Sequence, residues 1–395
     1  MRALLATVTA LAISAGVHAL AKSADDLNLQ RSDIMSGLQS PWDMAFTQDG
    51  TMFFTEKCRG LSVRLPNSQV VRLFGTGGSA MVASDLFCES QSGMNGVALD
   101  PDFTQNRSVF VYMASTAGGE KNNRVVRLNL NESLSAVTDR TDIVTGIGYK
   151  QRRMKVGGPG AHSGGRLRFG PDKFLYIPTG DNHEGVLPQD LTRLGGKVLR
   201  VDRDGKAAPG NKTPNGGDAR IFTYGHRNIQ GLDFHPETGQ AFIAEHGPGH
   251  SDEVTALVAG GNGGWDPTPD KGVDCPDGYC GYTSNKPDGT LTPMTDLTKF
   301  PDAMKPVYVY KDSAGIAPLV FLRGSRWQAV SGDPVVGFLR AQRVDVLKLN
   351  EKGAVENVTS FDLPRRRVRA LVQGPDERLY IATDEGNIWA VEPGT

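Results

Sequence analysis

One pattern returns along the chain and limits what it can fold into. It is a short apolar strand, a turn holding Pro, Asp or Gly, and a second apolar strand ending in Glu, Asp or Gly. The copies read PWDMAFTQDGTMFFTE, MNGVALDPDFTQNRSVFVYM, GGRLRFGPDKFLYIPTGD, QGLDFHPETGQAFIAE and VRALVQGPDERLYIATDEGNIWAVE. Repetition at this scale signals a propeller or a solenoid, in which each unit buries its apolar faces against its neighbours. The interval between the last two copies is about twice the others, which leaves space for a degenerate copy near PVVGFLRAQRVDVLKLN. Alternating apolar residues, such as Val97 with Leu99 and Phe110 with Tyr112, suit half-buried strands. No long amphipathic helical pattern supports an α/β reading. The expectation is an all-β, single-domain, six-bladed β-propeller whose blades run to about 60 to 70 residues, with long loops gathered on one face around the central channel.

The 395 residues, 38% of them hydrophobic, supply a core for one large all-β unit. Lys plus Arg number 43 against 44 Asp plus Glu, so no net field draws the chain to nucleic acid or to an acidic membrane. Its expected partners are small molecules. The N-terminus has a basic start at Arg2, an apolar run from Ala3 to Gly16 and small residues around Ala19. That is the anatomy of a secretory signal peptide, placed at residues 1–23, with the propeller at 24–395 and a periplasmic or secreted destination. No later segment is apolar for long enough to span a bilayer.

An exported chain with four cysteines can pair them all. Pro and Gly bend the chain between Cys275 and Cys280 in CPDGYC, which favours a local bridge and leaves Cys58 for Cys88. Zinc is the competing reading, but neither pair has the C-x2-C spacing of structural zinc ribbons. The C-x-x-C-H motif of covalently attached haem is absent as well. Residues 266–304, rich in Pro, Gly, Asp and Lys, read as an insertion: either a surface loop or a wall over the channel mouth.

Several runs set a polar group among glycines: CESQSGMNG, GAHSGGRL, YGHRNIQGLDF, AEHGPGHSDEV and RRRVRALVQGPDERLYIATD. His162, between small residues, is open to a ligand, although a ring that ties a blade edge is the structural alternative. Together, and in this order, the runs resemble the soluble quinoprotein glucose and sorbosone dehydrogenase family over nearly the whole mature chain. GHRN-x-QG followed by GP-x-x-DE is the most diagnostic pair. The resemblance implies pyrroloquinoline quinone (PQQ) and calcium on one propeller face, oxidation of a sugar or related alcohol, and an external electron acceptor such as a quinone, a cytochrome or a dye.

By that resemblance His162 is the general base, a role that suits an imidazole because its ordinary pKa lies near neutrality. The family Asp before this His is Ala161 here, and Asp181 of TGDN is the candidate that orients the ring instead. The cofactor carries three carboxylates, so its site needs fixed cations. Arg227 and Asn228 of GHRN match a cofactor-binding pair, with Arg227 placed beside the reactive quinone oxygens as a catalytic residue. Arg367 and Arg369 match two further arginines, Arg340 falls where the family usually has Lys, and Gln91 matches a cofactor-contacting Gln. Alternation adds a reading of its own, since Arg367 and Arg369 sit two apart at a strand start and face one side of the sheet. Gly247 and Pro248 match the carbonyl ligands of calcium, an oxygen-seeking ion. Asp252 and Glu253 suit either a second, structural calcium or a brace for the loop. His246 and His250 suggest zinc, against which stands the habit of neighbouring loop histidines to bond backbone.

Two departures bear on substrate. The family's aromatic cover has only Ser313 and Ala314 at the corresponding DSAGIAPL, which implies a roomier pocket, and the familiar GLLG is GMNG, where Asn95 either reaches a substrate or ties a turn. Two other functions compete. A calcium-dependent propeller lactonase would work with metal-bound water and carboxylates and has no need of converging arginines. A non-catalytic binding propeller, as in the hedgehog-interacting relatives of this fold, needs no shared cavity for His162 and Arg227.

Overall fold

The repeated turn is a closed unit of polar contacts. In GPDKFLY the Asp172 carboxylate accepts the Phe174 amide at 3.2 Å and the Tyr176 hydroxyl at 3.0 Å. In GPDERLY Asp376 does the same for the Arg378 amide at 3.2 Å and the Tyr380 hydroxyl at 3.0 Å. An Asp that bonds the amide two residues on nucleates the turn, and the Tyr pins it to the second strand. The leading glycine is required by space: a Cβ on Gly170 would stand 2.5 Å from Asp172 Oδ1, and one on Gly374 2.5 Å from the Tyr380 ring.

The computed structural model describes residues 27–151, 158–268 and 291–394. The expected signal peptide, the Cys275–Cys280 bridge and most of the 266–304 insertion lie outside them. Six sheets make the six blades. The first strands of the blades are Pro41–Phe46, Met94–Leu99, Arg168–Phe169, Ile229–Phe234, Ile316–Phe321 and Val368–Gln373, and they line the axis. Neighbours pair antiparallel within each sheet, except that Met81–Val82 joins the first blade in parallel. The degenerate copy is the fifth blade, where Pro334–Phe338 and Val344–Leu349 are the second and third strands. Its first hairpin is long rather than a GPD turn, and it carries buried Trp327, whose indole donates to the Glu377 carbonyl of the sixth blade at 2.7 Å.

Ring closure was not visible in the repeat. Leu29–Met35 pairs antiparallel with Ile388–Pro393 and so completes the last blade with the beginning of the described chain. Apolar side chains pack between successive blades, as where Phe53, Val63 and Phe74 meet Val97, Val109 and Val111. The expected Cys58–Cys88 bridge is formed. Helices among the described residues are short, such as Phe103–Asn106, and none is long and apolar enough to cross a membrane.

At the axis lies Arg166, 1% exposed. Its guanidinium donates to the carbonyls of Trp42 at 3.1 Å, Gln230 at 3.1 Å and Arg369 at 2.7 Å, which belong to the first, fourth and sixth blades. It pairs with Asp43 at 2.7 Å and lies over the Trp42 ring. Asp43 also takes Arg168 of the third blade and the Val97 amide of the second. Burial pushes the Asp43 carboxyl up, but Arg166 and Arg168 outweigh it and hold it below its ordinary range.

Removing one partner of a buried pair strands the other groups, so Arg166→Met should cost about 3–5 kcal/mol in chemical denaturation. Exposed Arg365→Ala should stay within about 0.5 kcal/mol. Because the folded Asp43 carboxyl titrates below the unfolded one, its contribution is full above about pH 4 and is lost as pH falls through the folded value. Asp43→Asn should therefore flatten the acid limb of a pH–stability profile.

Candidate functional site

The acidic residue that ends four of the repeat copies organises one face of the ring. Glu56 accepts the Gln39 amide at 2.6 Å, and Glu245 takes His226 Nδ1 at 3.0 Å together with the amides of Arg227 and Asn228. Asp384 takes Arg369 at 2.8 Å and Arg367 at 3.0 Å. The fourth, Asp181, holds His162.

His162 adopts left-handed backbone, with φ at 56°, and is buried. Its carbonyl packs against Gly180 where any Cβ would collide, which brings the next residue, Asp181, under the ring. Asp181 Oδ1 lies 2.8 Å from His162 Nδ1, while Oδ2 accepts the Trp265 indole at 2.9 Å. With the carboxylate accepting, the ring proton sits on Nδ1 and the basic lone pair on Nε2. The His183 ring stands 3.7 Å from that of His162, centroid to centroid, and its Nδ1 is 2.8 Å from Lys150 Nζ. Burial pushes the His162 pKa well below its ordinary value, and Arg227, the His246 ring and Lys150 push the same way. Burial also brings the Lys150 ammonium down to about 8, against the pull of Asp181. The imidazole is therefore neutral at physiological pH and competent to accept a proton.

The residues after His162, Ser163 and Gly164, line a cavity of about 320 Å³ together with Trp42, Lys57, Gln91, Asn95, Gln230, Arg367, Arg369 and Asp384. The His162 amide donates to Gln91 Oε1 at 3.1 Å. Gln230 links the Arg369 guanidinium at 3.4 Å to Asn228 Oδ1 at 3.1 Å, so the GHRN segment borders the same wall. Asn95 donates to the Gly164 carbonyl at 3.3 Å, tying the second blade to the His162 loop, while its Oδ1 is buried without a partner among the described residues. The floor of this cavity rests on Arg166, which holds the backbone of Trp42, Gln230 and Arg369.

Of the residues expected from sequence, Gln91, Arg367 and Arg369 line the cavity; His162 and Asn228 are bonded to its lining through Gln91 and Gln230, and Asp181 stands behind His162. Arg367 and Arg369 do face one side, both on Asp384, whereas Arg366 is exposed and donates to the Arg365 carbonyl. Arg227 donates to the His246 carbonyl at 3.0 Å, stands over Trp265 and passes its own carbonyl to the Asp181 amide. Arg340 is exposed and is not part of the lining. Gly247 and Pro248 are buried, and Asp252 spends both oxygens on backbone, accepting the Gly247 amide at 3.0 Å and the Ile316 amide at 2.9 Å. The Gly247 carbonyl takes the Gly249 amide. Burial raises Glu253 to about 8, opposed by the Thr295 hydroxyl. No cluster of three or more His, Cys, Asp or Glu side chains is placed to hold a metal among the described residues. His250 Nδ1 is 2.9 Å from the Ser251 hydroxyl. Ser313 and Ala314 border a separate depression with Tyr308 and Tyr310.

Sequence reasoning missed Lys57, Lys150, His183, Trp265 and Asp384. Asp384 carried a signal, the acidic end of a repeat copy. The others sit in loops or at a strand end where no periodicity marks them.

The glucose/sorbosone dehydrogenase family model matches residues 38–390. Aldose sugar dehydrogenase YliI of Escherichia coli (strain K12) is 29% identical over 364 residues, covering 90% of this chain and 91% of that one. Quinoprotein glucose dehydrogenase B of Acinetobacter calcoaceticus is 29% identical over 267 residues, 60% of this chain and 52% of that one. The crystal structure of the soluble aldose sugar dehydrogenase from Escherichia coli, in its apo form, superposes with a TM-score of 0.72 at 26% identity, covering 93% of this chain and 100% of that one.

Lys150→Met removes one of the charges that disfavour an imidazolium at His162. The His162 titration midpoint, followed by NMR of the ring protons, should move up while staying below the ordinary value, because burial is the larger cause. An unmoved midpoint would show that the Lys150 charge does not reach the ring.

Proposed function

The chain belongs to the glucose/sorbosone dehydrogenase family, and on that premise we propose that it oxidises a sugar or another secondary alcohol with PQQ and calcium, passing the electrons to a separate acceptor. The observation that carries this reading is a neutral, carboxylate-oriented His162 hydrogen-bonded through Gln91 to the wall of a cation-lined cavity. The cavity suits the cofactor. Lys57, Arg367 and Arg369 less Asp384 leave a net charge of two positives for a polycarboxylate, and the unpartnered Asn95 Oδ1 awaits a donor. Gly247 and Pro248 offer the carbonyl oxygens that calcium prefers, with Asp252 bracing their loop. When bound, the quinone supplies the hydride acceptor and calcium makes it more electrophilic.

The chain's own residues do the proton chemistry. His162 Nε2 takes the substrate hydroxyl proton as hydride leaves the adjacent carbon, and the product is the carbonyl compound. Asp181 fixes the ring and stabilises the imidazolium that forms, while the Trp265 indole keeps Asp181 from turning away. Arg227, packed against Trp265, completes the surround. The lactonase alternative has no use for arginines converging on one cavity. The binding-propeller alternative has none for a base with its own carboxylate. The N-terminal pattern and the Cys58–Cys88 bridge favour an exported protein.

Apo protein should show no dye reduction with a sugar panel, gain it with PQQ plus calcium, and ignore nicotinamide nucleotides. Activity that needs only NAD would refute the reading. His162→Ala should lower the reductive half-reaction by about two to four orders of magnitude. Cofactor affinity and Tm should change little in that variant. Early melting with a normal rate of quinone reduction would make His162 structural. Arg367→Ala should weaken PQQ binding, and Arg366→Ala should not.

A further inference from the structure

We propose that Lys57, at the rim of the first blade, is the third cation of the cofactor site and binds a cofactor carboxylate beside Arg367 and Arg369. The inference rests on the PQQ reading above and adds a residue to it. Lys57 follows the strand Met52–Glu56 and lines the same cavity as the two arginines. The carboxylate in that lining, Asp384, has both oxygens engaged by Arg367 and Arg369. Lys57 has no such partner: its ammonium donates to the Ser90 carbonyl at 2.5 Å and forms no ion pair with any described carboxylate within 4.0 Å. Burial and the nearby Arg369 charge disfavour its ammonium form and outweigh the opposing pull of Asp384. A cation kept half-buried beside two others is relieved by an anion in the cavity.

The stem is held where such an anion needs it. The Lys57 carbonyl accepts the Met94 amide at 2.8 Å, and Gly93 packs against it where a Cβ would collide. The next residue, Cys58, is bridged to Cys88, two and three residues before Ser90 and Gln91, which line the same wall. The disulfide thus ties the backbone that carries the cation to the backbone that carries the amide. Arg340, the position from which a further cation was expected, is exposed and outside the lining.

The test is equilibrium titration of the full-length apo protein with PQQ in calcium buffer, followed by quenching of tryptophan fluorescence. Lys57→Gln should raise Kd about tenfold or more, the weight of one charge-assisted contact. Lys57→Arg should stay within a few-fold of wild type. Arg366→Gln should change little. A Lys57→Gln Kd within twofold of wild type overturns the assignment, and so does an equal loss in Lys57→Gln and Lys57→Arg, which would mark a packing role. Absence of saturable binding by the wild type would overturn the cofactor reading itself, and the Lys57 assignment with it.

Discussion

Arg166 meets the backbone of three blades with one planar group and is paired to a carboxylate that reaches two more. A ring of sheets has no core at its axis, because the first strands diverge around a channel. A buried guanidinium with five donors in a fixed fork fills that gap and satisfies carbonyls that would otherwise face each other without hydrogen-bond partners. The desolvation of such a cation is severe, and it is tolerable here because Asp43 and the Trp42 ring surround it. The fifth blade joins by the same device on a smaller scale, with Asp233 of the fourth blade taking the Phe321 amide and Arg323.

The same interaction sets the geometry above it. Trp42, Gln230 and Arg369 give their carbonyls to Arg166 and line the cavity, so wall and plug are one structure. The backbone positions of Gln230 and Arg369 follow from a contact below the site. The charge of Arg369 is then aimed by Asp384 from the side. Catalytic and binding groups that sit on strand ends, with a second layer of carboxylates behind them, keep their directions without a ligand to impose them.

Much of this was legible in the sequence because the repeat and the site share residues. The strand–turn–strand copies gave the number of blades, and their GPD turns close through Asp172 and Asp376 as turn chemistry requires. The acidic ends of the copies, Asp181, Glu245 and Asp384 among them, mark the site face, although only Asp181 was read that way. Alternation separated Arg367 and Arg369 from Arg366. Arg340 was matched by resemblance alone; it sits in the turn between Pro334–Phe338 and Val344–Leu349, exposed. Closure by Leu29–Met35 was hidden because its exposed, polar pattern resembles no copy. Arg166 was hidden too, since a residue whose partners are backbone carbonyls more than sixty positions away leaves no local pattern.

In the role proposed for it, His162 is a base set among groups that oppose its protonation. Burial, Arg227 and Lys150 all favour the neutral ring, which keeps Nε2 able to accept but lowers its basicity. The conflict is resolved by what changes during transfer. As the proton arrives, the Nδ1 contact to Asp181 becomes a contact between opposite charges in a site with little water, where it is worth far more than in the resting state. In the proposed reaction the stabilisation would therefore grow toward the transition state and be small before it, which is what raises a rate rather than merely tightening binding. The carboxylate that orients the ring is itself fixed, by the Trp265 indole and by the His183 amide.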